Sequence, residues 1–202
     1  MIPFEDELTN KGFKNIACID EVGRGCLAGD VIACAVIMPK EGPLIEGIRD
    51  SKKLSAKKRE ELYPKILDRA VAVGIGRADC HVIDEINIKQ ATRLAMKQAV
   101  LNLKGKDDRT VIPDYILIDA ENIDLPIDQK GIIKGDDKCY GIACASIVAK
   151  VYRDMECLKW DKEYKGYNIA QNKGYGTKEH REAIKKIGPS PIHRMTFLKN
   201  II

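Results

Sequence analysis

The stretch that most constrains this chain is Ile16-Ala17-Cys18-Ile19-Asp20-Glu21-Val22-Gly23-Arg24-Gly25. An apolar run ends in two adjacent carboxylates, a Gly-Arg-Gly turn follows, and a second apolar run extends from Val31 to Met38. The pattern predicts strand, acidic edge, tight loop, strand. Neighbouring strand residues point to opposite faces, so Asp20 and Glu21 cannot both be ordinary core residues. An Asp-Glu pair alone is better explained as a solvated turn. Gly-Arg-Gly shifts that balance: glycine lets a backbone approach another molecule closely, and the arginine fork suits a phosphate. A site needing divalent metal and a nucleic-acid backbone would want this combination.

Val31 to Met38 has no polar alternation, which predicts a strand covered on both faces by helices. The short link before it makes the first two strands an antiparallel hairpin. Downstream, Ser55 is a helix N-cap, and Pro64 should kink or split that helix. Val71 to Ala78 reads as a strand. His81 to Lys104 reads as a helix in two pieces, with Leu94, Val100 and Leu101 buried. Tyr115 to Ile118 is a short strand ending on Asp119, and Ile127 to Ile133 is another. Cys139 to Tyr164 is a long helix, Lys165 to Gly176 is irregular, Thr177 to Ile187 is a helix closed by Gly188 and Pro189, and a short helix ends the chain. Strands separated by helices are expected to run parallel. The fold class is therefore α/β, a mixed sheet flanked by helices over residues 1–164, with a helical, basic extension over 165–202 packed on it.

The net charge of +4 is unevenly placed. Residues 1–128 hold 19 Lys and Arg against 22 Asp and Glu, or −3, and residues 129–202 hold 15 against 8, or +7. A basic C-terminal third suggests a polyanionic partner. The longest apolar run is too short to span a bilayer, and the acidic stretch Met1 to Asn10 lacks a signal-peptide core. The seven cysteines are odd in number and form no Cys-x-x-Cys, and their spacing with His81, His180 and His193 predicts no zinc site. Cys18, Cys34 and Cys144 lie in apolar runs and read as small hydrophobes. The expectation is a cytoplasmic protein, monomeric, with no membrane segment.

Asp119 ends a buried strand as Asp20 does, and ligands bind where strands end in such sheets. Further on, Ile147, Val151, Asp154 and Leu158 share a helical face, with Arg153, Glu156 and Lys159 opposite. A carboxylate in an apolar stripe needs a partner, either an arginine or a metal held with other carboxylates. Asp20, Glu21, Asp119 and Asp154, without histidine or thiolate, suit Mg²⁺ or Mn²⁺. Two such ions about 4 Å apart would activate a water and stabilise the leaving oxygen of a phosphodiester. Lys52 and Lys53 are candidate phosphate contacts. A nucleic-acid-binding module without catalysis, and a metal-dependent exonuclease or phosphatase, use similar residues and stay open at this level.

Seven stretches in order carry a resemblance over nearly the whole chain: Ile19 to Gly25, Asp50 to Ser55, Leu117-Ile118-Asp119, Lys134-Gly135-Asp136, Ala145 to Asp154, Lys173-Gly174-Tyr175-Gly176-Thr177, and Gly188 to Arg194. The chain resembles the prokaryotic type 2 ribonucleases H (ribonuclease HII). The resemblance implies an RNase H-like fold and endonucleolytic cleavage of RNA in RNA–DNA hybrids. It also implies cleavage at single ribonucleotides in duplex DNA, leaving 3′-hydroxyl and 5′-phosphate ends. It carries the metal-binding carboxylates over to Asp20, Glu21, Asp119 and Asp154. Gly23, Arg24 and Gly25 match the loop that meets the ribonucleotide 2′-hydroxyl, and Tyr175 matches the tyrosine that stacks at the RNA–DNA junction. Cys26 and Asp30 stand where proline is common, and Ala120-Glu121-Asn122 replaces a glycine-containing turn, adding charge beside the site.

Overall fold

The computed structural model describes residues 4–202; of the acidic N-terminal stretch, Met1 to Pro3 lie outside the described residues and Phe4–Asn10 form α1. The hairpin is β1 (Ile16–Val22) and β2 (Val31–Ile37), paired antiparallel. A single 3-10 turn at Ser51–Lys53 leads into α2 (Ala56–Arg69), followed by β3 (Ala72–Ala78) and α3 (Cys80–Leu101). The short β4 (Lys104–Gly105) precedes β5 (Tyr115–Asp119) and β6 (Gln129–Ile132). The remaining elements are α4 (Gly135–Lys138), α5 (Tyr140–Glu163), α6 (Ile169–Asn172), α7 (Lys178–Ile187) and α8 (Met195–Leu198). The six strands form one mixed sheet in the order β4-β3-β2-β1-β5-β6.

Every residue of β2 is buried, as the unbroken apolar run requires. Ala17, Ile19, Val31, Ala33 and Ala35 face α3, whose Ala91, Ala95, Met96 and Ala99 cover them. Cys18, Cys34 and Val36 face the other layer, built from α5 and α2. Each fully buried isoleucine or valine stabilises this sandwich by about 1.5–3 kcal/mol. Gly74 and Gly76 explain the glycines in β3: a Cβ at either would strike the backbone of α3 at Ala99 or Ala95, so the helix lies directly on the strand. A third apolar cluster joins Leu27, Cys157 and Trp160 to Tyr167, Ile169, Ile184 and Leu198 of the C-terminal segment.

Four expectations are corrected. β3 pairs with β2 antiparallel although a helix separates them. Pro64 does not break α2; the carbonyl that loses its helical donor is that of Glu60, an exposed residue. Leu101 is exposed and Leu94 only partly buried, because the last turns of α3 lie on β3 through Ala95 and Ala99 and turn those two side chains away, while Val100 is buried. On α5, Ile147 and Val151 are buried and Lys159 is exposed as expected, but Arg153 and Glu156 are buried and Leu158 is half exposed. The first half of α5 is buried all round, so periodicity could not orient the second half. The C-terminal segment covers the Arg153–Cys157–Trp160 side instead. The expected break in α3 is present at Asn87, which adopts φ 66°.

Candidate active site

β1 and β5 are adjacent and parallel, in a register that pairs Ile19 with Ile118. The next residues along, Asp20 and Asp119, therefore stand side by side at one edge of the sheet. Asp20 is 4% exposed, its Oδ1 accepting from the Glu21 backbone N–H at 2.8 Å. Burial pushes its carboxyl well above the usual carboxylate range, the charges of Glu21 and Asp119 push it further, and a hydrogen bond from Ser146 works the other way. The Ser146 and Ser51 hydroxyls are 2.7 Å apart, which ties this contact to the 3-10 turn. Asp119 Oδ1 accepts from the Gly135 N–H at 2.7 Å; burial raises this carboxyl too, against that hydrogen bond.

Glu21 is also shielded, because helices cover both faces of the strand that carries it. Burial raises its pKa, while Arg24 lowers it; Arg24 Nη1 lies 3.3 Å from Glu21 Oε1 and 4.0 Å from Glu121 Oε1. The other oxygen, Glu21 Oε2, is buried without a hydrogen-bond partner. Among the described residues, no three of these carboxylates bring ligand oxygens within 4.8 Å of one another. The buried Asp20, the partly buried Glu21 and Asp119, all of raised pKa, and one orphaned oxygen form a donor set that fits a hard divalent cation.

Asp154 is set differently. Its Oδ1 accepts from Lys150 Nζ at 2.6 Å, Arg59 Nη2 is 3.9 Å from Oδ2, and it borders a cavity of about 460 Å³ shared with Tyr63 and Lys173. The apolar-stripe argument for it fails; basic partners hold it at the rim. Lys52 Nζ reaches Asp136 at 3.3 Å, and its charge acts on both Glu21 and Asp119. Lys53 pairs with Asp137 further out. The charge of Glu121 is met by Arg93 Nε at 3.1 Å.

The two glycines of the Gly-Arg-Gly loop differ. Gly23 sits at φ +95°, and a Cβ there would collide with the Arg153 side chain, so the fold itself demands glycine. A Cβ at Gly25 would meet nothing within 4 Å, which leaves its backbone open to a ligand. Two buried arginines that sequence reasoning missed hold this loop. Arg194 donates from Nη1 to the Arg24 carbonyl at 2.8 Å and from Nη2 to the Gly23 carbonyl at 2.7 Å. Arg153 donates to the carbonyls of Asp30, Ala28 and Lys173 at 3.0, 3.0 and 2.7 Å. No local signal marks either residue, because an arginine solvated by carbonyls looks like a surface arginine in the sequence.

Tyr175 bridges to Cys26, so Tyr175 and the end of the Gly-Arg-Gly loop share one backbone contact. Its carbonyl is bonded to His180 Nδ1 at 2.9 Å, and His180 and His193 meet through their Nε2 atoms at 3.0 Å. The Ser190 N–H donates to His193 Nδ1 at 2.9 Å. That assigns the protons: His193 donates from Nε2 to His180, and His180 donates from Nδ1 to Tyr175. Burial, then the neighbouring His180, lowers His193 to about 4, so the relay is neutral at physiological pH.

Comparison with known proteins decides the family. The family model described as Ribonuclease HII matches residues 17–200. The chain belongs to the ribonuclease HII family. Ribonuclease HII of Alkaliphilus oremlandii is 60% identical over 201 residues, covering 100% of this chain and 98% of that protein. The Enterococcus faecalis enzyme is 53% identical, covering 98% of this chain and 74% of its own. The fold is shared with the ribonuclease H2 structure from Pyrococcus horikoshii, at TM-score 0.74 and 24% identity over 93% of this chain and 96% of that one. A Bst-RNase HIII structure with Mn²⁺ aligns at TM-score 0.59 and 16% identity over 91% of this chain and 64% of that one. The chain is a ribonuclease H, an endonuclease that acts on RNA–DNA hybrids. No helix among its described residues is long and apolar enough to cross a membrane.

Proposed function

We propose that the chain incises both continuous RNA–DNA hybrid and duplex DNA carrying a single ribonucleotide, leaving 3′-hydroxyl and 5′-phosphate ends. Asp20, Glu21, Asp119 and Asp154 are the proposed ligands of two Mn²⁺ or Mg²⁺ ions. The carrying observation is the side-by-side placement of Asp20 and Asp119 beside the partnerless Glu21 oxygen. Bound divalent ions supply water activation and stabilisation of the departing oxygen. The protein's own groups do the rest. Ser146 and the Gly135 N–H orient Asp20 and Asp119, and Lys150 and Arg59 hold Asp154 ready at the rim. The Gly25 backbone addresses the 2′-hydroxyl, which both donates and accepts hydrogen bonds. Arg24 and Lys52 meet phosphates, and Lys53 is a weaker contact behind them. The reading extends to a monomer and to the cytoplasm, the latter supported by seven free, buried cysteines.

A labelled duplex with one internal ribonucleotide tests this directly. Internal incision with Mn²⁺ or Mg²⁺, and none without, is the expected result. Binding without incision would favour a module without catalysis, and shortening from an end would favour an exonuclease.

Tyr175 is 43% exposed while its backbone is pinned by Cys26 and His180, so its ring is presented on a rigid support. Stacked on the deoxyribose after the ribonucleotide, it would be obstructed by a second 2′-hydroxyl. Tyr175→Ala is therefore expected to lose about tenfold or more at a single embedded ribonucleotide, on the 1–3 kcal/mol scale of aromatic stacking, and less on continuous hybrid. Equal losses on the two substrates would reduce Tyr175 to a packing role.

A further inference from the structure

Glu5, Cys18 and Cys139 come from α1, β1 and the residue that opens α5. One carboxylate oxygen and the two sulfurs all lie within 4.8 Å of one another. None of the three belongs to the proposed active site. Cys18 and Cys139 are 2% and 0% exposed. Glu5 and Cys18 line a cavity of about 180 Å³ that also contacts Lys14, Lys40 and Tyr140. Lys40 Nζ is held by the Phe13 carbonyl at 2.6 Å. Glu5 Oε1 accepts from the Gly141 N–H in the first turn of α5 at 2.7 Å, and Cys139, the N-cap of that helix, makes no side-chain cap.

Three ligand-type atoms from three separate elements converge beside a cavity, which is the arrangement a shared cation requires. We infer that Glu5, Cys18 and Cys139 form a binding site for one soft divalent cation of the zinc class, with water from the cavity completing the set. Two thiolates and a carboxylate match zinc's tetrahedral preference for sulfur and oxygen donors. The complex carries one net negative charge, which the positive end of α5 stabilises. Both thiol protons pass to solvent as the ion enters. The ion clasps α1 to β1 and to the start of α5. Cys18 shares a strand face with Asp20 two residues away, so the two sites lie about 7 Å apart along β1. The donors separate them chemically, soft sulfur here and hard oxygen there. The inference does not depend on the proposed ligands of the active site.

Co²⁺ is the probe, added anaerobically to the reduced full-length protein. One equivalent should produce thiolate-to-cobalt charge-transfer absorption with tetrahedral d–d bands, unaffected by excess Mg²⁺ and displaced by Zn²⁺. Ions at the oxygen-only site cannot give the charge-transfer band, so failure here is distinct from failure of the proposed function. Cys139→Ser should abolish the band and leave Mn²⁺-dependent hybrid cleavage intact. Glu5→Gln keeps both sulfurs but removes a charged ligand, and should weaken Zn²⁺ binding by at least the roughly 10–100-fold that loss of a group merely supporting a ligand costs. No charge-transfer band in the wild-type chain, an unchanged band in Cys139→Ser, or unchanged Zn²⁺ affinity in Glu5→Gln would each overturn the assignment.

Discussion

Asp20→Asn is expected to lose at least about 10³-fold in hybrid cleavage, the scale of a missing charge-stabilising group, and yet to unfold at a higher temperature than the wild-type chain in metal-free buffer. Both effects have one cause. Asp20 is buried beside Glu21 and Asp119, so its folded pKa is raised. A raised carboxyl pKa means that the fold favours the protonated acid, and stability falls as pH climbs from the unfolded pKa through the folded one. At pH 7 the metal-free wild-type fold therefore carries the cost of uncompensated charge, and an asparagine of the same shape does not. Lowering the pH below the unfolded carboxylate range should bring the two melting temperatures together. Added Mn²⁺ should raise the wild-type midpoint more than the variant's. Calorimetry across pH with and without Mn²⁺, beside a cleavage assay, checks all of this. A variant that keeps most of its activity, or that melts below wild type without metal, would remove Asp20 from the site.

Arg194→Ala is expected to cost about 3–5 kcal/mol of stability, because the Gly29 and Arg24 carbonyls would lose their side-chain donor and Gly23 would keep only the long bond from the Cys26 N–H at 3.4 Å. Arg194 is fully buried and donates from Nε and Nη2 to Gly29 at 2.9 and 2.7 Å besides its bonds to Gly23 and Arg24. Burial lowers its pKa to about 10, which still leaves it charged at neutral pH. Arg194→Lys should recover part of the loss, since a compact ammonium cannot span the carbonyls that a planar fork reaches. Because the same bonds shape the Gly-Arg-Gly loop, the variants should also discriminate ribonucleotide from deoxyribonucleotide less well at temperatures where they remain folded. Denaturant unfolding gives the stability change. A wild-type midpoint for Arg194→Ala would show that the loop stands without this clamp.

The sequence by itself determined the covered central strand, the hairpin and the two strand-end carboxylates. Each is written in contiguous residues: an apolar run without alternation, a link too short for a crossover, and an acidic residue at the end of a buried strand. The ordered motifs likewise made the ribonuclease HII family legible. Tertiary structure alone decided matters that depend on residues distant in the chain. The orientation of the second half of α5 follows from which face the C-terminal segment covers, and this put Arg153 inside and left Asp154 at the rim with Lys150 and Arg59. The buried arginines read as surface residues because their partners are backbone carbonyls, which carry no sequence signature. The antiparallel course of β3 was hidden because a helical connection fits either direction. The gathering of Glu5, Cys18 and Cys139 is of the same kind. Local spacing detects metal ligands on one turn or loop, whereas these three meet only when α1, β1 and α5 close on one another.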